Sequence, residues 1–343
     1  MHMNNLTTIS FLGDIAFVGK YNEYYSSGIN PFSAVEPILL SSHLVVGNLE
    51  CVSEGDQGEN LAKKPRLKTK TQTLNYLKTL NIGLATLAHN HVYDNLYDGY
   101  LKTTAFLKES KIDFIGAGLS ENRAAEPLVK VINDISFCFL NYVTHDTNPN
   151  LPNNTEIHLN YFSLQKVSED IIKFKNKVDH VVILLHWGGR LEGGNYPDYD
   201  QPEIARKIID YGADIIIGHH SHTLQPYEIY KNKYIFYSLG NFCFSDFISD
   251  GVLKKLDRKR RVNSIILNVV FSKNKYNIEI IPIRNADEFI IIDKSSFKLL
   301  NQRNLFFKYI KSNYFLWLIY YIKVKYYYKI LRKLKNKNVN PNL

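Results

Sequence analysis

Apolar residues in this chain gather in short runs that end alike. Residues 7–12, 41–46, 83–87, 178–185, 213–217 and 234–239 carry β-branched or aliphatic clusters, and each run passes within a residue or two into Gly, Asn, His or a carboxylate. Runs of this length predict buried strands of a largely parallel sheet. Between them, residues 74–80, 100–109, 161–177 and 202–211 place apolar side chains at helical spacing. Strands alternating with helices predict an α/β fold, with function gathered in the loops at the strand tips. Residues 114–118, 128–132 and 135–142 read as shorter strands, with Asn133-Asp134 as a hairpin turn. Residues 265–271 and 276–282 read as an antiparallel pair turning at 273–275.

The predicted tips carry a recurring chemistry. The first delivers Asp14, and the second Asn48 and Glu50, two apart and so on one face of extended backbone. The third delivers Ala88-His89-Asn90-His91, with Asp94 one early helical turn beyond, where it would orient the His91 ring. The fourth delivers His186-Trp187-Gly188, and the fifth Gly218-His219-His220-Ser221-His222, whose second and third imidazoles would converge on one centre if the backbone stays extended. Each residue alone has an ordinary explanation: a turn-forming Asn, a solvated Glu, a core His beside an aromatic, a polar loop with surface histidines. In series they build one site from several loops. Asp14, Glu50, Asn90, His91, His186, His220 and His222 form a mixed oxygen and nitrogen set without thiolates, suited to one or two divalent ions such as Mn, Fe or Zn. Two such ions would activate a water and stabilise a developing phosphoryl charge, and Glu50 could bridge them.

Composition narrows the picture. With 343 residues and 45% apolar content the chain can bury one large core or two smaller ones. Cys51, Cys138 and Cys243 are odd in number and far apart, which fits no disulfide framework and predicts a reducing compartment. The first dozen residues lack a basic segment followed by a long apolar one, so the sequence predicts a cytoplasmic protein without signal peptide or transmembrane span. The net charge of +9 is uneven. Residues 294–343 hold twelve Lys or Arg and no Asp or Glu, which leaves the first 293 residues at −3. In that tail Phe306, Ile310, Trp317, Tyr321, Val324, Tyr328 and Leu331 recur mostly at three- and four-residue steps, and the unbroken apolar stretch, 314–322, is too short to span a bilayer. Two readings stay open: a helix lying on an anionic membrane surface, peripheral at the inner face, or a helix docked on the catalytic domain. No nucleic-acid module accompanies the charge, so no nucleic-acid partner is expected. The expected division is a catalytic domain at 1–290 and a basic, aromatic helical extension at 291–343.

The order Gly13-Asp14, Asn48-Leu49-Glu50, Ala88-His89-Asn90-His91 with Asp94, His186-Trp187-Gly188, Gly218-His219-His220-Ser221-His222 with Gln225, and Tyr237-Ser238-Leu239-Gly240-Asn241-Phe242 resembles the CapA family. This is the capsule or poly-γ-glutamate synthesis family within the calcineurin-like metallophosphoesterases, and the likeness runs over residues 7–285. It implies a four-layer α/β/β/α sandwich with metal at the strand ends, and a bacterial role in making, modifying or exporting a surface polymer. By position, the resemblance implies that Asp14 and His222 serve one ion, that Asn90, His186 and His220 serve the other, and that Glu50 bridges. His91 would be the general acid, held by Asp94. Candidate substrate contacts are Asn48, Arg66, Arg190 and Asn241, for an anionic or phosphorylated small molecule or polymer. The wider superfamily places a His where this chain has Ala16 and an Asp where it has Glu50. Two functions therefore stand side by side: a metal-dependent hydrolase, and a non-catalytic metal-binding scaffold of a polymer synthase or exporter.

Overall fold

In the computed structural model, which describes residues 6–327, the first apolar run becomes the strand Thr7–Ile15 (β1). Leu44–Leu49 (β2), Ile82–Thr86 (β3) and Asp113–Ile115 (β4) follow it outward, all parallel. The strand expected at 114–118 breaks at Gly116, whose φ of 94° turns the chain away. Asn133 and Asp134, at φ 50° and 61°, make the expected two-residue turn between Leu128–Ile132 (β5) and Ile135–Val143 (β6). These open a second sheet, in which His180–His186 (β7), Ile215–His219 (β8), Tyr227–Tyr230 (β9) and Lys233–Phe236 (β10) take the order β9-β10-β8-β7-β6-β5. The chain then returns to the first sheet. Asn241–Cys243 (β11) pairs in parallel with the end of β1, and Asn263–Ser272 (β12), Lys275–Ala286 (β13) and Phe289–Ile292 (β14) extend its other edge antiparallel.

Strand alternation builds the layers. Ile9, Phe11, Val46 and Leu84 of the first sheet share a core with Phe137, Phe139, Val182, Leu184 and Ile217 of the second. Their neighbours point outward: Val45 and Ala85 meet Tyr21, Leu39, Leu77 and Tyr100 from the helices over the first sheet. Val181, Ile183 and Ile216 meet Val167, Ile171, Ala205 and Ile208 from Leu164–Phe174 and Gln201–Tyr211. The result is the expected α/β/β/α sandwich. Each large side chain so buried contributes about 1.5–3 kcal/mol by leaving water.

Two glycines let the strands approach closely enough to place the site. A Cβ on Gly13 would stand 1.9 Å from Gly240 O, and one on Gly218 would stand 2.0 Å from Tyr237 O. Only glycine lets β1 and β8 run so close to the segment after β10.

The tail forms two helices, Lys294–Ile310 and Tyr314–Ile322, packed on the sandwich. Leu300 enters the core between the sheets, while Phe307, Ile310 and Trp317 enter the one beneath the second sheet. Trp317 Nε1 also donates to Pro197 O at 3.1 Å. One face of the tail therefore docks. Tyr328 and Leu331 lie outside the described residues. No helix among the described residues is long and apolar enough to cross a membrane.

Candidate metal centre

Register gathers the site at one end of both sheets. Across the first sheet Asn241, Asp14, Asn48 and Thr86 are successive lateral partners, and across the second His186 is the partner of His219. Parallel strands ending together present their tips along one edge, and here the two edges face each other. Glu50 follows β2 directly, and Asn90 and His91 lie in the loop after β3.

Glu50 stands at the middle and is fully buried. Its Oε1 lies 3.7 Å from His186 Nε2 and 3.5 Å from His222 Nε2. On one side His186 Nε2 is 2.9 Å from Asn90 Oδ1 and 3.1 Å from His220 Nδ1. On the other, His222 Nδ1 is 3.4 Å from Asp14 Oδ2. Glu50, His186 and His220 thus offer three ligand atoms within 4.8 Å of one another, and so do Asp14, Glu50 and His222. Both Glu50 oxygens and Asp14 Oδ2 are buried without a hydrogen-bond partner among the described residues. Leaving buried carboxylate oxygens unpaired is costly, and a cation between the two groups would satisfy them all. The donor set fits a divalent ion, with oxygen and imidazole ligands and no thiolate.

The electrostatics point the same way. Burial holds the His186 imidazole well below its ordinary pKa and pushes His220 down to about 4, so both stand in the neutral, ligating form. Burial pushes the Glu50 carboxyl up. Burial opposes charge on Asp14 as well, but the His219 and His222 imidazoles beside it outweigh burial and hold it well below the usual carboxylate range. Burial likewise opposes charge on His222, yet Glu50 and Asp14 raise it to about 9.

The backbone separates the two histidines that the sequence suggested as a pincer. His220 and His222 have φ of 91° and 56°, so the loop is not extended and the rings turn to opposite sides of Glu50. Left-handed backbone at a non-glycine residue costs about 1–3 kcal/mol and is typical of functional loops.

The candidate substrate contacts divide. Asn48 Nδ2 donates to Asp14 Oδ1 at 2.9 Å and lies 3.4 Å from His186 Nδ1, while its Oδ1 accepts from Thr86 Oγ1. Asn241 Oδ1 accepts from His222 Nδ1 at 2.9 Å, which turns Nε2 toward Glu50. Both asparagines sit behind the ligand-type groups and orient them. Arg66 is engaged elsewhere, by Glu59 at 2.7 Å, by the Lys63 carbonyl at 2.8 Å and by Asp250. Arg190 pairs with Asp200 at 2.8 Å, its side chain half-exposed. The structure brings neither arginine into contact with the candidate ligands.

His91 Nδ1 lies 2.5 Å from Asp94 Oδ2, which also accepts from Leu67 N at 2.6 Å. Burial and the Lys63 charge depress the His91 pKa, and burial raises Asp94 to about 7. Of three further groups, sequence reasoning gave no role to His219 and Glu192 and took Lys63 as a candidate clamp on an anionic substrate. His219 Nδ1 lies 3.3 Å from Asp14 Oδ1. Lys63, buried and 3.9 Å from Asp94, is close enough for its charge to act on Glu50 and His91. Glu192, half-exposed and paired with Arg261 at 2.9 Å, is held below its ordinary pKa: partial burial opposes its charge, and Arg261, His222 and His220 outweigh it. Lys63 was marked by its basic neighbours Lys64, Arg66, Lys68 and Lys70; nothing marked Glu192.

The family emerges from comparison with known proteins. A family model described as "Bacterial capsule synthesis protein PGA_cap" matches residues 8–246. The PGA biosynthesis protein CapA of Bacillus subtilis (strain 168) is 32% identical over 257 residues, covering 71% of this chain and 64% of that protein. The capsule biosynthesis protein CapA of Bacillus anthracis is 30% identical over 258 residues, covering 70% and 60%. The chain thus spans less than two thirds of the length of either relative. Among solved structures, a hypothetical protein from Thermus thermophilus superposes with TM-score 0.51 at 11% identity, over 80% of this chain and 99% of that one. A candidate 5′-nucleotidase from Staphylococcus aureus also gives 0.51, at 12% identity, over 87% and 58%. At such identities these likenesses establish the fold alone.

Proposed function

This chain belongs to the bacterial capsule synthesis protein family PGA_cap, and from that premise we propose that it is a metal-dependent phosphoester hydrolase acting on an anionic intermediate of a surface polymer. Capsular polysaccharide, another exopolysaccharide and a poly-γ-glutamate-like chain are the polymer classes in view, with synthase or export proteins as partners. The observation that carries the proposal is Glu50, a buried carboxylate with both oxygens unpaired between two groups of ligand-type atoms. Asp14 and His222 would hold one divalent ion, Asn90, His186 and His220 the other, and Glu50 both. Mn, Fe or Zn bound there would supply Lewis-acid stabilisation of the phosphoryl oxygens and lower the pKa of a water.

The remaining steps belong to this chain's side chains. Lys63 lies beside the centre as a buried cation without a hydrogen-bond partner among the described residues, suited to an incoming phosphoryl group. A phosphoryl dianion arriving near His91 offsets the burial and the Lys63 charge that keep this imidazole neutral, and so favours its protonated form. With Nδ1 held by Asp94, His91 presents Nε2 to the leaving oxygen and donates its proton there. Asn48 and Asn241 keep the ligand rings turned inward.

One observation favours the scaffold reading. Ala16 is fully buried in the core over the first sheet and offers no ligand, so the Asp14 group has one imidazole fewer than the superfamily pattern. Turnover decides between the two. The full chain loaded with Mn, Fe or Zn in turn is expected to hydrolyse at least one member of a panel of phosphomonoesters and phosphodiesters, and to stop on addition of chelator. Tight metal uptake with no turnover on any member would leave the scaffold.

A further inference from the structure

The helix Tyr314–Ile322 is apolar on all sides, and only one side is used. Trp317, Tyr320, Tyr321 and Val324 pack against the core beneath the second sheet. On the other side Phe315, Ile319, Ile322 and Tyr326 are 68%, 50%, 49% and 56% exposed. Their spacing of four, three and four places them in one stripe along the helix and its π-helical extension, Lys323–Tyr327. Leu305 and Tyr309 repeat the pattern on the preceding helix and are also exposed. A surface helix of a soluble protein normally turns charge toward water here, and a continuous apolar stripe marks an interaction surface.

Charge identifies the occupant. Lys308, Lys323 and Lys325 flank the stripe and are exposed, and residues 294–343 carry twelve cations against no acid. A second copy of this chain would bring two such clusters together, which repulsion disfavours. A bilayer with anionic headgroups meets both needs, apolar depth for the stripe and negative charge for the lysines. The stripe also adjoins a cavity of about 410 Å³ walled by Phe306, Leu316, Ile319 and Lys323, which extends the apolar surface inward beside a cation.

We infer that this stripe seats the protein on an anionic membrane surface, lying in the interface while the opposite face stays docked on the sandwich. Docking and membrane contact are then two faces of one helix. The inference stands independently of the proposed hydrolase activity, since it uses no residue of the metal centre.

Co-sedimentation of the full chain with phosphatidylcholine vesicles, with and without about 30 mol% phosphatidylserine, tests it. Binding is expected to the anionic vesicles only and to weaken as salt is raised. A Phe315→Glu/Ile319→Glu double variant is expected to lower the partition coefficient by about tenfold or more. Both side chains are exposed, so unchanged circular dichroism and emission from the buried Trp187 and Trp317 would certify the fold. No binding to anionic vesicles, equal binding to neutral ones, or equal binding by the double variant would overturn the inference. So would a concentration-dependent dimer that the double variant dissolves, which would assign the stripe to a second copy.

Discussion

Glu50→Gln is expected to lower metal affinity on both sides of the centre by more than about 100-fold, beyond the range for loss of an outer-shell partner. The amide keeps the shape of the side chain and removes its charge. Because Glu50 lies within reach of both His186 and His222, one substitution disables both groups. The same change is expected to stabilise the metal-free protein, since it removes a charge that burial opposes. The sign follows from linkage. A carboxyl whose pKa is raised on folding binds more protons in the native state, so its stability contribution falls as pH rises through the carboxylate range toward that raised pKa. The gain in Glu50→Gln is therefore full above that raised pKa and fades in acid. Thermal unfolding with chelator and with added Mn reads both effects: wild type is expected to be raised strongly by metal, and the variant to start higher and respond little. A variant that takes up metal as wild type does would remove Glu50 from the centre.

His91→Ala is expected to lower turnover of an alkyl phosphoester by about 10²- to 10⁴-fold while leaving metal content unchanged. An alkoxide is a poor leaving group and needs a proton as the bond breaks. A nitrophenyl ester leaves as a stable anion, so the loss on that substrate is expected to be far smaller. This contrast separates proton donation from general damage to the site, which would lower both rates alike. Kinetics on the two substrates, with metal analysis of each preparation, measure it. Equal losses would assign His91 a structural part.

Much of this centre was legible along the chain because parallel strands deliver their last residues to one edge. Asp14, Glu50, Asn90, His186, His220 and His222 follow or close apolar runs, and the register of the two sheets brings those ends together. What spacing could not reveal was direction. His220 and His222 are two apart, yet their left-handed backbone sends the rings to opposite sides of Glu50. Asn48 and Asn241 have the chemistry of substrate contacts, but each is held by a group far off in sequence, Asn48 by Asp14 and Asn241 by the Arg261 carbonyl. Arg66 was a candidate substrate contact, while Glu59 and Asp250, the latter 184 residues away, take its guanidinium. The tail's periodicity was readable, and its docking was one of two readings left open. The structure shows the docked face, and because the nine-residue helix is apolar all round a second apolar face stays exposed, which no stripe on a helical wheel could have shown.

The central claim is that Glu50 is shared by two groups of metal ligands. Anomalous scattering from crystals of the full chain grown with Mn tests it most directly. The expected result is a pair of peaks flanking Glu50, one against His186 and His220 and the other against Asp14 and His222. Well-ordered crystals with no anomalous peak within ligand distance of Glu50 would contradict it.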